Sequence, residues 1–228
     1  MFGPETVVFT LSGQRLLRDL VGSEPTHVLA WDGERVTVGR ICVEQEDRLV
    51  IPYRIELDDG AVFFCCSETM FLLRSGTPRY PEQLEPGSSL LPLYMKLDRA
   101  GYQIYQEPGE WHKKARTPCD RNRWRRLGRL VAEWKLQRRC APGDVVSYLS
   151  EDRLNCHPDN LKIEQKERKP TQKKVDFVES LLEAQRFITR NNHQIKSVSL
   201  ATSRNLLTIR GLGTATLAVS GVFASVDR

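Results

Sequence analysis

Eleven lysines and arginines lie between Trp111 and Cys140, against two acids: Lys113, Lys114, Arg116, Arg121, Arg123, Arg125, Arg126, Arg129, Lys135, Arg138 and Arg139. Fixed cations at this density suit a polyanion, because each one brought to a phosphate releases a condensed counterion. Trp111, Trp124 and Trp134 are interleaved with them, and aromatic rings among cations favour a nucleic-acid face over a merely solvated one. The predicted partner is double-stranded DNA, held by its phosphates.

The distribution of charge says more than the net value of +5. Residues 1–98 hold nine Lys/Arg and fifteen Asp/Glu, a balance of −6, and the remainder holds twenty-five and fourteen, a balance of +11. The six cysteines, Cys42, Cys65, Cys66, Cys119, Cys140 and Cys156, form neither a CxxC pair nor a disulfide framework and read as free thiols of a reducing compartment. Cys119, Cys140, Cys156 and His157 have none of the spacings of a zinc site, so no metal centre is expected from them. No apolar run approaches the roughly 20 residues that span a bilayer, and the start, MFGPETVVFTLSG, lacks a basic region followed by an apolar one. The expected location is the cytoplasm. Neither a membrane nor a small-molecule substrate is implied, and the expected state is a monomer.

The elements that must carry the cations follow from periodicity. Leu127, Leu130, Val131 and Trp134 recur at helical spacing while Arg125, Arg126 and Arg129 face elsewhere, which predicts an amphipathic helix with one face on a core. A Pro142-Gly143 turn, a short apolar run at Val145 and Val146, and the loop SEDRLNCHPDNL come next. Residues 6–66 read as short strands separated by turns such as Asp32-Gly33 and Asp59-Gly60. Val36–Val43 and Leu49–Leu57 are taken as separate strands, GYQIYQEPGEW as a small hairpin, and residues 174–189 as a further helix.

From GRLVAEW through PGDVV, EDRLN and PDNLKI, the chain resembles HNH nucleases in wording, order and spacing. That resemblance implies a ββα module in which a His pair supplies a metal ligand and a general base, a middle Asn stiffens the loop, and a later ligand completes an Mg²⁺ site. Here the pair is Ser147-Tyr148, Asn155 stands at the middle position, and the last position falls near Arg168 or Lys169. A neutral Tyr is a poor base, since its ordinary pKa is about 10, and a cation at a ligand position repels Mg²⁺. Weak or absent cleavage is expected, with Tyr148, Asn155 and His157 as the catalytic candidates and Mg²⁺ as cofactor only if cleavage survives. Asn155 and Asn160 also suit a plainer role, holding the loop through side-chain to backbone hydrogen bonds.

On either side of this segment the chain resembles the Hint domain of inteins. ETVVFTLSGQRLLRDL, LDDGAVFFCCSETMFLLRSG and EQLEPGSSLLPL precede it, and NNHQIKSVSLATSRNLLTIRGLGTATLAVSGVFASVDR follows. The resemblance implies a mainly β fold, a Hint horseshoe that brings its two junctions together, with an inserted small α+β domain of the HNH-like ββα kind. The expected boundaries are 1–97, 98–172 and 173–228. In that family splicing needs a first-position nucleophile, a Thr and a His that polarise the upstream amide, an assisting Asp, and a terminal His-Asn pair. The matching positions here are Met1, Cys66 and Thr69, Thr208, and Ser225 with Val226. A thioether cannot form an acyl intermediate, and Val226 has no amide with which to cyclise, so self-splicing is predicted to be defective. Two other readings stay open: an active endonuclease using Tyr148 or His157 as its base, and a non-catalytic structural scaffold.

Overall fold

A computed structural model describes residues 1–106, 124–165, 194–212 and 216–226. In chain order its elements are β1 (Val7–Thr10), β2 (Gly13–Leu16), β3 (Thr26–Trp31), β4 (Val36–Val50), β5 (Tyr53–Leu57), β6 (Val62–Cys65), β7 (Phe71–Leu72), β8 (Pro78–Arg79), β9 (Tyr94–Leu97), β10 (Gln103–Gln106), β11 (Trp124–Arg126), α1 (Leu127–Leu136), β12 (Asp144–Tyr148), β13 (Leu161–Gln165), β14 (Ile195–Leu200), β15 (Arg204–Gly211), β16 (Thr216–Val219) and β17 (Val222–Ser225). They fall into two units, Met1–Tyr94 with Asn192–Arg228, and Met95–Asn191.

The first unit is all β. Its larger sheet runs β15-β4-β3-β1-β16-β17-β7-β8, with β2 paired to β1. β1, β3 and β16 touch pairwise, at Val8–Val219, Thr10–Val28 and Leu217–Ala30, so the sheet curls on itself instead of extending flat. A smaller sheet, β14-β5-β6, lies beside it. Phe2 joins the two through bridges to Leu207 of β15 and Cys65 of β6.

β-Branched and aromatic residues in THVLAW and VTVGRICV suit the pleated surfaces they occupy. The turn between them is set by Asp32, whose Oδ1 accepts the N–H groups of Glu34 and Arg35, both at 2.9 Å. The core gathers Phe2, Ile55, Leu57, Phe63, Phe71, Leu90, Ile195, Leu217 and Val222. Phe71 sits 5.5 Å from Phe63 and 6.5 Å edge-on from Phe2, centroid to centroid. Full burial of one such ring contributes roughly 2–3 kcal/mol.

Two sequence expectations change here. β4 does not stop near Val43 but continues to Val50, because β15 supplies a partner as far as Arg204–Val50. Within the region read as short strands and turns, Leu17–Leu20 is a 3-10 turn that buries Leu17 and Leu20.

The second unit holds the sheet β11-β10-β9, the helix α1 and the hairpin β12-β13. Of GYQIYQEPGEW, residues 107–111 lie outside the described residues; a turn stands just before it, where Asp98 Oδ1 accepts the N–H groups of Ala100 and Tyr102 at 2.9 and 3.0 Å. β10 then pairs with β11, beyond residue 123. α1 buries Leu127, Leu130 and Val131, as its spacing required. It is the one α-helix among the described residues, and it precedes the hairpin. The helix that would complete a ββα order, and that expected over 174–189, lie outside the described residues. No described helix is long and apolar enough to cross a membrane.

The β16–β17 hairpin turns on Ser220 and Gly221, both with positive φ, 45° and 83°. A two-residue turn of this hand favours Asn-Gly, and a serine there sits in a backbone region that costs it roughly 1 kcal/mol. Ser220→Asn is expected to raise stability by about 0.5–1 kcal/mol, read as a higher urea midpoint. An unchanged or lower midpoint would remove the strain from the account.

Candidate functional site

Two groups of residues that the sequence singled out come together, one in each unit. In the first, the end of β6 and the turn after it present Cys66 and Thr69 to the N-terminal residue. The backbone nitrogen of Met1 donates to Cys66 Sγ at 3.4 Å. The Met1 carbonyl accepts from the Cys66 N–H at 3.2 Å and from Thr69 Oγ1 at 3.3 Å. Cys66 Sγ and Thr69 Oγ1 are 3.3 Å apart. Both side chains are buried, as is Cys65, whose thiol burial pushes well above its ordinary range.

The C-terminal strand reaches the same turn. Ser225 Oγ accepts the Met70 N–H at 2.9 Å, and the Ser225 N–H donates to the Met70 carbonyl at 2.7 Å. Met1 and Ser225 are thus anchored on residues 66–70, with half-buried Val226 packed against the core. Thr208 is one residue from the Phe2–Leu207 bridge, and its hydroxyl donates to Glu46 Oε1. Glu46 went unnoticed in the sequence, since nothing in the spacing links β4 to β15 across so much chain.

Chemically, this cluster can hold a peptide but has little with which to cut one. Its members offer a thioether, a thiol, two aliphatic hydroxyls and a valine. The two donors on the Met1 carbonyl address the bond after Met1, whereas splicing requires polarisation of the bond before it.

The second group lies around the hairpin of the second unit. Tyr148 packs over the start of α1, and a Cβ placed on Gly128 would fall 2.5 Å from the Tyr148 hydroxyl. That hydroxyl lies 3.3 Å from Cys156 Sγ. Burial, and then the contact with Cys156, raises the phenol far above its ordinary pKa, which removes it as a base at neutral pH. Asn155 Oδ1 accepts the His157 N–H at 3.0 Å. Asn160 Nδ2 donates to the Asn155 carbonyl at 2.7 Å, and its Oδ1 accepts the Ser150 N–H at 2.9 Å. His157 caps the following 3-10 turn through Nδ1, which accepts the Asp159 N–H at 3.4 Å. These three residues shape the loop.

The donor set around Tyr148 does not fit Mg²⁺. A hard cation calls for carboxylate and carbonyl oxygens, whereas Tyr148 faces a thiol and Ser147 Oγ points to the Lys162 carbonyl at 3.4 Å. Among the described residues no three His, Cys, Asp or Glu side chains cluster as ligands. Positions 168 and 169 lie outside the described residues.

Of the eleven cations expected to meet DNA, Lys113, Lys114, Arg116, Arg121 and Arg123 also lie outside the described residues. The others are largely engaged within the unit. Glu133 gathers Arg125 at 3.0 Å, Arg129 at 3.7 Å and the Cys140 N–H at 3.3 Å. Arg126 pairs with Asp98 at 2.9 Å. Arg138 donates to the buried Asp144 at 2.7 Å, and that hydrogen bond, with a second from the Ala141 N–H, holds the Asp144 carboxyl below its usual range. Lys135 donates to the Pro158 carbonyl at 3.0 Å, and Arg139 is also partnered. Trp124 is half-buried with Lys96 over its ring at 4.5 Å.

The curled sheet of the first unit resembles the Hint fold of inteins. Two solved structures show a similar fold over the whole chain. One is a mutant of an Ssp DnaB mini-intein variant, at 8% identity, covering 100% of both chains with a TM-score of 0.51. The other is a DnaB intein from Synechocystis, at 7% identity, covering 100% of this chain and 98% of that one with a TM-score of 0.50. At such identities the likeness is one of fold. No family model matches the sequence, and no curated protein does.

An exposed helical Gly replaced by Ala normally gains up to about 1 kcal/mol. At Gly128 the sign should reverse, because the added carbon meets a ring held by Cys156, and overpacking costs roughly 1–3 kcal/mol. Gly128→Ala is expected to lower the thermal midpoint read by tryptophan fluorescence. A raised midpoint would mean that Tyr148 does not lie over the helix.

Proposed function

We propose that the chain is an intein-type Hint scaffold that keeps the meeting of the splice-junction positions and has lost the splicing reaction. The reading rests on one observation: Met1 and Ser225 are both hydrogen-bonded to residues 66–70, and the groups gathered there supply neither an acyl acceptor at the first position nor a cyclising amide at the last. Acyl transfer needs a nucleophile with a base and a polarised carbonyl. The scaffold supplies the approach and omits those parts.

The proposal extends to residues 98–172 as an HNH-like insert that binds double-stranded DNA without cutting it. Charge carries this part, since residues 99–172 hold seventeen Lys/Arg and ten Asp/Glu, a balance of +7, and the side chains of Arg126, Arg129 and Arg138 remain about half exposed beside their partners. Cleavage through Tyr148 loses support from chemistry, since the phenol is held neutral, and His157 has one of its two ring nitrogens, Nδ1, turned to its own loop.

The splicing half is tested by placing a reporter domain on each side of the chain. The unaltered chain should give no ligated product and no thiol-dependent cleavage. Met1→Cys with Thr69→His should release the upstream domain on addition of thiol, because the Met1 nitrogen, which would belong to the bond before Met1, already lies against residue 66 beside Thr69. Ligation by the unaltered chain would overturn the loss of chemistry, and a silent double variant would overturn the retained geometry.

For the DNA half, one gel of purified protein with supercoiled plasmid and Mg²⁺ reads both binding and nicking. A mobility shift without nicking is expected. With about six phosphates contacted, log K should fall against log salt with a slope of about −5. Binding that ignores salt, or its absence, would sink this half. Nicking that disappears in His157→Ala would restore the enzyme.

A further inference from the structure

Arg153 was not among the cations that sequence patterning selected, because it stands alone in the loop SEDRLN, away from the basic run. The structure sets it apart for a different reason. Arg125, Arg126, Arg129 and Arg138 each lie within ion-pair distance of a carboxylate. Arg153 is exposed, and its partners among the described residues are neutral: Nη1 donates to the Ala100 carbonyl at 2.7 Å, and the guanidinium lies 5.1 Å from the centroid of the Tyr102 ring. The adjacent Asp152 carboxylate is occupied in its own loop, where Oδ1 accepts the Leu154 N–H at 2.9 Å.

The same ring carries a second guanidinium. Arg126 sits 4.3 Å from the Tyr102 centroid, and Tyr148 supports that ring at 5.4 Å. Tyr102 is fixed in turn by its N–H bond to Asp98, and Gln103 Nε2 donates to the Leu154 carbonyl at 2.8 Å, tying the Arg153 loop to β10. Two cations are therefore mounted on one braced aromatic. A guanidinium that is already oriented loses little further freedom on forming a charge-assisted bond, and a planar fork suits a phosphate. With one N–H committed to Ala100, Arg153 has donors left, and Arg126 adds positive potential that Asp98 only partly offsets.

We propose that Arg153, mounted with Arg126 on Tyr102, is a backbone phosphodiester contact for duplex DNA. The inference rests on the DNA-binding reading above and adds to it a specific residue and a mode of contact. One ion pair formed with a phosphate should contribute about 0.9 to the slope of log K against log salt.

The test is fluorescence anisotropy of a labelled duplex with the full chain over a salt series, comparing the unaltered protein with Arg153→Met, Arg153→Lys and Lys162→Met. Lys162 is a neutral control because it is already paired with Glu164 at 2.6 Å. Arg153→Met is expected to bind about three- to tenfold more weakly at low salt, with a slope shallower by about 0.9. Arg153→Lys should recover the slope but not the full affinity, a split that general destabilisation of the loop would not produce. Lys162→Met should match the unaltered chain. An Arg153→Met slope and affinity equal to those of the unaltered protein would overturn the contact while leaving DNA binding intact. Failure of the unaltered protein to bind duplex would remove both.

Discussion

Much of the first unit depends on how the backbone of Phe2 is spent. Its N–H and carbonyl both bond to Leu207, at 2.9 and 2.7 Å, and it also bridges to Cys65. A single buried residue thereby closes the gap between the curled sheet and the smaller one. Buried backbone groups without partners are costly, so the N-terminal segment has little freedom once these bonds form. Met1 is then delivered to Cys66 and Thr69 whatever its side chain. A Glu5–Arg204 ion pair at 2.8 Å, with Arg204 3.6 Å over Phe64, clamps the following residues to the same pair of sheets.

The proposed loss of splicing chemistry would leave such a scaffold intact. The hydrogen bonds that gather the two ends are mostly backbone bonds, and those involving side chains use small hydroxyls and a thiol. Splicing, by contrast, would depend on particular side chains at the first position, at residue 69 and at the end. Changing those side chains removes reactivity without disturbing the ladders that bring them together. Position and reactivity are separate quantities here, and only position is written into the sheet.

The second unit shows the opposite economy. Its cations are dense enough to suggest a polyanion partner, yet Glu133, Asp98 and Asp144 use several of them to hold helix, turn and strand together. A guanidinium has five N–H donors, so an internal ion pair does not exhaust it, but the pair does lower the local potential. Local charge density therefore overstates what is free to act outwards, whereas Arg153, alone in its loop, contacts neutral groups among the described residues. Tyr148 follows the same logic: half-buried against Gly128 and Cys156, it has its hydroxyl engaged in packing and in a contact with the thiol.

The local elements were legible in the sequence. Leu127, Leu130 and Val131 at helical spacing, the alternation in YRIEL, and the Asp32-Gly33 turn each act over a few residues, where backbone geometry and side-chain type are enough. The gathering of Met1, Cys66, Thr69 and Ser225 could be anticipated through the resemblance to Hint sequences, but not from composition. What the sequence alone could not supply were the continuation of β4 to Val50, the hydrogen bond from Thr208 to Glu46, the fitting of Tyr148 over Gly128, and the stacking of Arg126 and Arg153 on Tyr102. Each pairs residues far apart in the chain, and such contacts form only when sheet register and core packing have fixed where each strand lies. Residue type determined which functional groups stand at each position, and tertiary structure decided which of them meet.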